Sequence, residues 1–136
     1  MEKIKVSAII PFYNGVKWLC EAVQSVLDQT YKNIEIIVVN DGSPEDVADF
    51  LNKYGDKILY FYKENGGSAS ARNLAIKHAS GKYYALLDSD DIWLPTKIQR
   101  QVDFMERTNV MWSHTGFYYW DPKTDHIKAP SIKHNY

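Results

Sequence analysis

The chain has 136 residues, the usual size of one domain, with 45% hydrophobic residues, 24% charged residues and a formal net charge of −1. This charge argues against non-specific nucleic-acid binding, which depends on a strongly basic surface, so we expect no nucleic-acid partner. The single cysteine, Cys20, excludes an internal disulfide and a cysteine-based zinc site.

Apolar runs are all shorter than about 18 residues, the length that a membrane-spanning helix needs. We therefore expect a cytoplasmic protein, and leave open a peripheral association of a longer form with the membrane.

Strand and helix patterns alternate through the first hundred residues. The pattern predicts a buried strand at 6–12, an amphipathic helix at 16–27 and an almost wholly apolar strand at 34–39. Ser43 as N-cap and Pro44 at the first helical position predict a helix from 44 to about 53. The later predicted elements are a strand at 58–62, a helix at 68–80, a buried strand at 82–87, a helix from 95 to about 107 and an aromatic-rich strand from Val110 to Trp120.

This order indicates an α/β fold with a mostly parallel central sheet and helices on both faces. Residues 121–136 are polar, without an apolar period, and are predicted to form a hairpin or a loose tail. We place the end of the α/β domain at residue 120.

Polar residues gather where four predicted strands end, at 11–14, 40–43, 63–68 and 88–91. Ligands of open parallel sheets bind outside the carboxyl ends of the strands. If the last strand continued, Asp88 and Asp90 would project to one side and Asp91 to the other. Two such carboxylates can hold Mg2+ or Mn2+ against a diphosphate, but a polar turn that caps the next helix explains them equally well.

Three other side chains at these ends have the chemistry to bind a nucleotide. Asp41 can accept a hydrogen bond from a base imide, Tyr13 can stack on a base, and Arg72 can reach base oxygens or phosphate. Each also has a purely structural explanation. Asp41 can form a turn, Tyr13 can pack against the fold, and Arg72 can be a solvated charge on a helix. The loops of P-loop nucleotidases and dinucleotide dehydrogenases, and a serine nucleophile elbow, are missing from the sequence.

Four motifs follow one another along the chain. The first is Val6-Ser7-Ala8-Ile9-Ile10-Pro11-Phe12-Tyr13-Asn14. The others are Val39-Asn40-Asp41-Gly42-Ser43, then Asn65-Gly66-Gly67 with Ala71-Arg72-Asn73, and Asp88-Ser89-Asp90-Asp91 with Trp93-Leu94-Pro95. In this order they resemble the motifs of the family 2 glycosyltransferases, which have the Rossmann-like, A-type nucleotide-diphospho-sugar transferase fold. The resemblance covers roughly residues 5 to 100.

The resemblance implies an enzyme of polysaccharide biosynthesis that transfers a sugar, with inversion, from a nucleoside-diphosphate donor, usually a UDP-sugar, to a glycan or lipid-linked acceptor. It implies that residues 1–120 are a nucleotide-sugar-binding domain. Asp90 would be the principal ligand of a Mg2+ or Mn2+ ion, with Asp88 beside it. The residues implied in nucleotide binding are Pro11, Tyr13, Asp41, Arg72 and Asp88.

An inverting transfer also needs a general base, which we expect beyond Tyr136 in an acceptor-binding half that is absent here, so the fold would be truncated. The later acidic residues, Asp103, Glu106, Asp121 and Asp125, match no family motif. The late histidines, His114, His126 and His134, are interpreted as ordinary surface or strand residues. Aromatic residues at 112 and 117–120 would pack a core or the missing half, and would favour self-association if left exposed.

Two other functions remain open from the sequence. A sugar nucleotidyltransferase also combines an α/β sheet with metal-binding carboxylates, but usually has a glycine-rich basic loop where this chain has Tyr13-Asn14-Gly15. The second alternative function is that of a non-catalytic module that binds a nucleotide or a partner.

Overall fold

A computed structural model describes residues 4–129, which form two compact units divided between Arg100 and Gln101. The first unit contains a four-stranded parallel sheet with the strand order β3-β2-β1-β4. The predicted α/β architecture is therefore confirmed. The elements are β1 (Val6–Phe12), α1 (Val16–Leu27), β2 (Ile34–Asp41), α2 (Ala48–Tyr54), β3 (Leu59–Lys63), α3 (Ser68–His78), β4 (Tyr83–Leu86), α4 (Lys97–Thr108), β5 (Tyr119–Asp121) and β6 (His126–Lys128), with a 3-10 turn at Gly55–Lys57.

The two central strands, β1 and β2, form the core of this unit. Their β-branched runs are buried on both faces, as the sequence predicts for inner parallel strands. On one face, Ile9, Ile37 and Val39 cluster with Ala71 and Ala75 of α3. Two alanines bring the α3 backbone close to the sheet, and the amino end of α3 lies at the edge where the polar strand ends gather.

Pro11 marks the point where the strand order reverses. The β1–β2 ladder continues past Pro11 to the Phe12–Asn40 pair. On the other side, the β1–β4 ladder ends at Ile9–Leu86, and Leu87 N donates to the Ile9 carbonyl. Pro11, two residues after Ile9, turns its missing N–H towards this side. A crevice can therefore open between the ends of β1 and β4, the place where such sheets bind ligands.

The opposite edge of the sheet is tied together by Glu35. Its Oε1 accepts from Ser7 Oγ (2.5 Å) and Ser80 N (2.6 Å), and its Oε2 lies 3.3 Å from Lys5 Nζ. Burial alone would raise the pKa of Glu35, but these donors outweigh it and lower the pKa to about 2. This carboxylate joins the starts of β1 and β2 to the loop that precedes β4.

The helix predicted from Pro44 begins four residues later, at Ala48. Side chains take the backbone donors that a helix start would leave free: Ser43 N donates to Asn40 Oδ1, Glu45 N to Ser43 Oγ, and Ala48 N to Asp46 Oδ1. Short polar side chains compete with the helix in this way, so Ser43 shapes a turn instead of capping α2.

The fourth strand is shorter than predicted and is not buried on both faces. Tyr84 is 50% and Leu86 56% exposed, because β4 is the edge strand of the described sheet and one of its faces is open. The open face of such an edge strand usually carries polar or charged side chains.

In the second unit, the strand predicted from Val110 to Trp120 is wrong. Residues 110–118 have no strand structure, and only Tyr119–Asp121 pairs, antiparallel, with His126–Lys128. Among the described residues, Trp112, Phe117 and Tyr118 pair with no strand. All the aromatics at 112 and 117–120 are exposed, so they do not pack a core. Trp112 is 75% exposed and Tyr118 63%. Residues 130–136 lie outside the described part of the chain.

Candidate functional site

Asp41 organises the ends of β2 and β3. Its Oδ1 accepts from Lys63 Nζ (3.0 Å) and Gly66 N (2.9 Å), and its Oδ2 from Gly67 N (2.9 Å) and Asn65 Nδ2 (3.4 Å). A carboxylate has about four lone-pair positions, so the acceptor capacity of Asp41 is used within the protein. We call this group of five residues the Asp41 clasp.

Burial and hydrogen bonding act in opposite directions on the clasp. Asp41 is only 4% exposed, and burial alone would raise its pKa. The donors at Gly66, Lys63 and Gly67 outweigh burial and hold the pKa of Asp41 below its usual range. Gly42 has a positive φ of 73°, and a Cβ there would lie 2.6 Å from Asn65 N. Only glycine lets the two loops approach this closely.

Arg72 and Asp88 are brought together although they are 16 residues apart. Arg72 Nη2 donates to Asp88 Oδ1 at 2.8 Å, and Arg72 Nη1 lies 3.5 Å from Ser68 Oγ. Arg72 Nε is buried and has no hydrogen-bond partner in the described structure. Buried donors are nearly always satisfied in folded proteins, so this one requires an explanation.

The carboxylates after β4 lie in a tight turn, in which Asp91 N donates to the Asp88 carbonyl at 3.0 Å. The strand ends at Leu86, so the alternation that separated Asp91 from Asp88 and Asp90 does not apply. Partial burial, then the charges of Asp90 and Asp88, raise the pKa of Asp91. All three aspartates therefore belong to one cluster of negative charge, which we call the acidic turn.

Within residues 4–129, the acidic turn has too few protein ligands to enclose a metal. No group of three or more His, Cys, Asp or Glu side chains in this range could surround an ion. His114 and His126 are exposed, as interpreted from the sequence, and His134 lies outside the described residues.

Tyr13 and Pro11 lie at the end of β1, where the strand order of the sheet reverses. Tyr13 is 45% exposed, as a stacking residue must be, whereas Pro11 is half-buried. The position of this loop depends on a residue that the sequence analysis missed. Glu45 accepts from Gly15 N (2.5 Å) and Val16 N (3.2 Å) and so caps α1 from the loop after β2.

The sequence contains one signal for this cap. Gly15 is the N-cap of α1 and has no side chain to accept from the helix, so the cap has to come from another segment. Which segment supplies it depends on the tertiary fold.

These elements define an α/β fold with a parallel sheet and an acidic turn at the switch point of that sheet. Comparison with known proteins names the family. The model of glycosyl transferase family 2 matches residues 7–135, and the chain belongs to this family.

One curated relative is the Escherichia coli UDP-Glc:alpha-D-GlcNAc-diphosphoundecaprenol beta-1,3-glucosyltransferase WfaP. It is 47% identical over 115 residues, which are 83% of this chain and 46% of the relative. The chain spans between 18% and 51% of the length of eight curated relatives that it matches.

Two solved structures share the fold. TarS 1-349 of S. aureus in complex with UDP has a TM-score of 0.71 and 28% identity over 78% of this chain and 33% of TarS. The mannosyltransferase PcManGT from Pyrobaculum calidifontis, solved with GDP-Man and Mn2+, has a TM-score of 0.68 and 22% identity over 75% of this chain and 32% of its own.

No helix among residues 4–129 is long and apolar enough to cross a bilayer.

Proposed function

We propose that this chain is the donor-binding part of a metal-dependent, inverting glycosyltransferase that uses a UDP-sugar. The observation that carries the proposal is Arg72, which ion-pairs with the acidic turn and has a buried Nε without an acceptor. A ligand with acceptor oxygens at this place, a diphosphate or a base, would satisfy that donor. The UDP in the TarS complex makes UDP the first nucleotide to test.

The donor nucleotide would lie along the carboxyl edge of the sheet. Tyr13 would stack on the base, next to Pro11, and Asp41 would face its imide N–H. Because Asp41 already has four donors, a base can bond to it only by replacing one of them. The weakest is Asn65 Nδ2 at 3.4 Å, which also donates to the Asp41 carbonyl at 3.0 Å and so keeps a partner after the exchange.

The acidic turn fits a hard divalent ion such as Mg2+ or Mn2+. Carboxylate oxygens are the ligands that these ions prefer, and one or two of them with substrate phosphates are the usual arrangement. Asp90 would be the principal ligand, with Asp88 beside it. Partial burial, and then the charges of Asp90 and Asp88, raise the pKa of Asp91, and a bound cation would offset that repulsion. When bound, the ion supplies Lewis-acid neutralisation of the charge on the departing diphosphate.

Two further parts of the proposal concern the acceptor side. The acceptor would be a glycan or a lipid-linked sugar, by analogy with the diphosphoundecaprenol acceptor in the name of the Escherichia coli relative. Inversion needs one displacement at the anomeric carbon and no covalent enzyme intermediate, so the residues of this chain have to bind and orient the donor and stabilise its leaving group.

Calorimetry with UDP, GDP and dTDP, each with and without Mn2+, tests the proposal. We expect UDP to bind, and Asp90→Ala to weaken binding in Mn2+ by about tenfold or more, because it removes a charged ligand. Asp46→Ala removes an exposed carboxylate outside the site and should bind as wild type does. If neither the wild type nor Asp90→Ala binds a nucleoside diphosphate, and the ion makes no difference, the proposal fails.

A further inference from the structure

Glu45 connects two loops that border the proposed base site. Its carboxylate binds the first two N–H groups at α1, on Gly15 and Val16, across about thirty residues of sequence. The first N–H groups of a helix have no acceptor within the helix, and a carboxylate there also benefits from the helix dipole. The cap thus ties the loop after β1 to the loop after β2.

Both ends of this connection are held firmly. Glu45 N donates to Ser43 Oγ at 3.1 Å, and Ser43 N donates to Asn40 Oδ1 at 2.8 Å, so the loop is anchored on the end of β2 next to Asp41. On the other side, Gly15 has a positive φ of 81°, and a Cβ there would lie 2.9 Å from the Trp18 ring. The loop between Tyr13 and α1 is therefore tight, with Gly15 only two residues from Tyr13.

A cap supplied from another loop costs the fold more than a local one, because ordering two segments loses more entropy than ordering one. Local caps usually come from a serine, threonine, aspartate or asparagine at the N-cap, but here the N-cap is Gly15, whose positive φ disfavours those residues. The long-range contact does something a local cap cannot: it joins the loop that follows Tyr13 to the loop that follows Asp41.

We propose that Glu45 is a positioning residue of the donor site, which holds the Tyr13 loop at the spacing from Asp41 that a stacked base requires. This inference rests on the proposed function, since it assumes that a base binds between these residues. Glu45 does not touch the nucleotide and acts through Tyr13.

A double-mutant cycle separates this role from simple stabilisation of α1. UDP and inorganic pyrophosphate, each with Mn2+, are titrated into wild type, Glu45→Gln, Tyr13→Ala and the double variant. We expect Glu45→Gln to weaken UDP binding by about fivefold to tenfold, because the amide nitrogen turns a donor towards Gly15 N or Val16 N and displaces the loop that follows Tyr13. Pyrophosphate binding should stay within about twofold. In the Tyr13→Ala background the effect of Glu45→Gln on UDP should fall below about twofold.

Asp46→Asn is the matched control, because it neutralises the next residue of the same loop, whose carboxylate accepts only from nearby Ala48 N. It should bind UDP and pyrophosphate as wild type does. Glu45→Asp keeps the charge on a shorter side chain and should recover part of the UDP affinity. It also serves as the test variant if Glu45→Gln does not fold.

An equal loss in the wild-type and Tyr13→Ala backgrounds, or an equal loss for UDP and pyrophosphate, would overturn the inference. Failure of the wild type to bind UDP would instead overturn the proposed function, so the two failures are distinguishable.

Discussion

Asp41 and the acidic turn lie at the same edge of one sheet but in opposite electrostatic states. Asp41 is 4% exposed and accepts from four donors, and its pKa is lowered. The aspartates of the acidic turn crowd one another, one of them is ion-paired with Arg72, and the pKa of Asp91 is raised. A carboxylate saturated by the protein stabilises the fold, whereas a cluster without enough counter-charge is where a bound cation has most to gain.

The largest expected effect is on stability, at the Asp41 clasp. Asp41→Asn turns an amide towards backbone donors and leaves Lys63 without its carboxylate, so the free energy of unfolding should fall by about 3 kcal/mol. Urea unfolding followed by circular dichroism measures this. Asp90→Asn makes the same chemical change at the acidic turn and should cost nothing. Equal losses in the free energy of unfolding at the two positions would contradict the proposed difference between Asp41 and the acidic turn.

Glu35 extends the comparison to the opposite edge of the sheet. Its pKa is about 2 in the folded protein and near 4.5 when unperturbed. Ionised Glu35 therefore stabilises the fold above about pH 4.5, and this contribution is lost as the pH falls through 4.5 towards 2. Glu35→Gln should lower the free energy of unfolding at pH 7 by about 2 kcal/mol and little at pH 2. A difference between the two proteins that stays constant from pH 7 to pH 2 would contradict this.

Arg72 has a small expected effect on stability and a larger one on binding. Its ion pair with Asp88 is exposed, so Arg72→Lys should change the free energy of unfolding by less than about 0.5 kcal/mol. Lysine keeps the charge but has no Nε and no planar fork, so UDP affinity should fall by about tenfold. Arg100→Lys, a substitution at an exposed helix position, is the control for calorimetry. If Arg72→Lys binds UDP as tightly as the wild type does, Arg72 Nε does not bind the nucleotide, and the main support for the proposed function is lost.

The smallest expected effect is at Asp91. Because its pKa is raised in the folded protein, its ionised form opposes folding, and stability should decline as the pH rises through that pKa. Asp91→Asn should therefore increase the free energy of unfolding at pH 7, by at most about 0.5 kcal/mol for such an exposed residue. Thermal unfolding at pH 7 and pH 3 checks the sign. A loss of stability at pH 7 would show that Asp91 has a favourable partner.

The sheet was predictable because its information is local. The β-branched runs of β1 and β2 and the apolar face of α1 determine each element within a few residues, and their order implies the parallel sheet. Where local rules competed, prediction failed. Ser43 and Pro44 look like a helix start, but Asn40 and Ser43 take the backbone donors for a turn.

The sequence indicates which residues belong to the candidate site, but not which of them contact one another. The ends of the strands and the family resemblance indicate Asp41, Arg72 and the acidic turn, whose roles stay predictions. The clasp, the Arg72–Asp88 pair and the Glu45 cap join residues that are 16 to 30 positions apart, and no spacing rule relates them. Likewise, the aromatics from Val110 to Trp120 have the period of a strand, but a strand also needs a partner for its backbone.

Electron paramagnetic resonance of Mn2+ tests the central claim most directly, since the signal of the free ion falls when the ion binds. We expect wild type with UDP to reduce the signal far more than wild type or UDP alone. Asp90→Asn with UDP should behave as UDP alone, whereas Asp46→Asn with UDP should match wild type. If wild type with UDP lowers the signal no more than UDP alone does, the acidic turn is not a metal and diphosphate site.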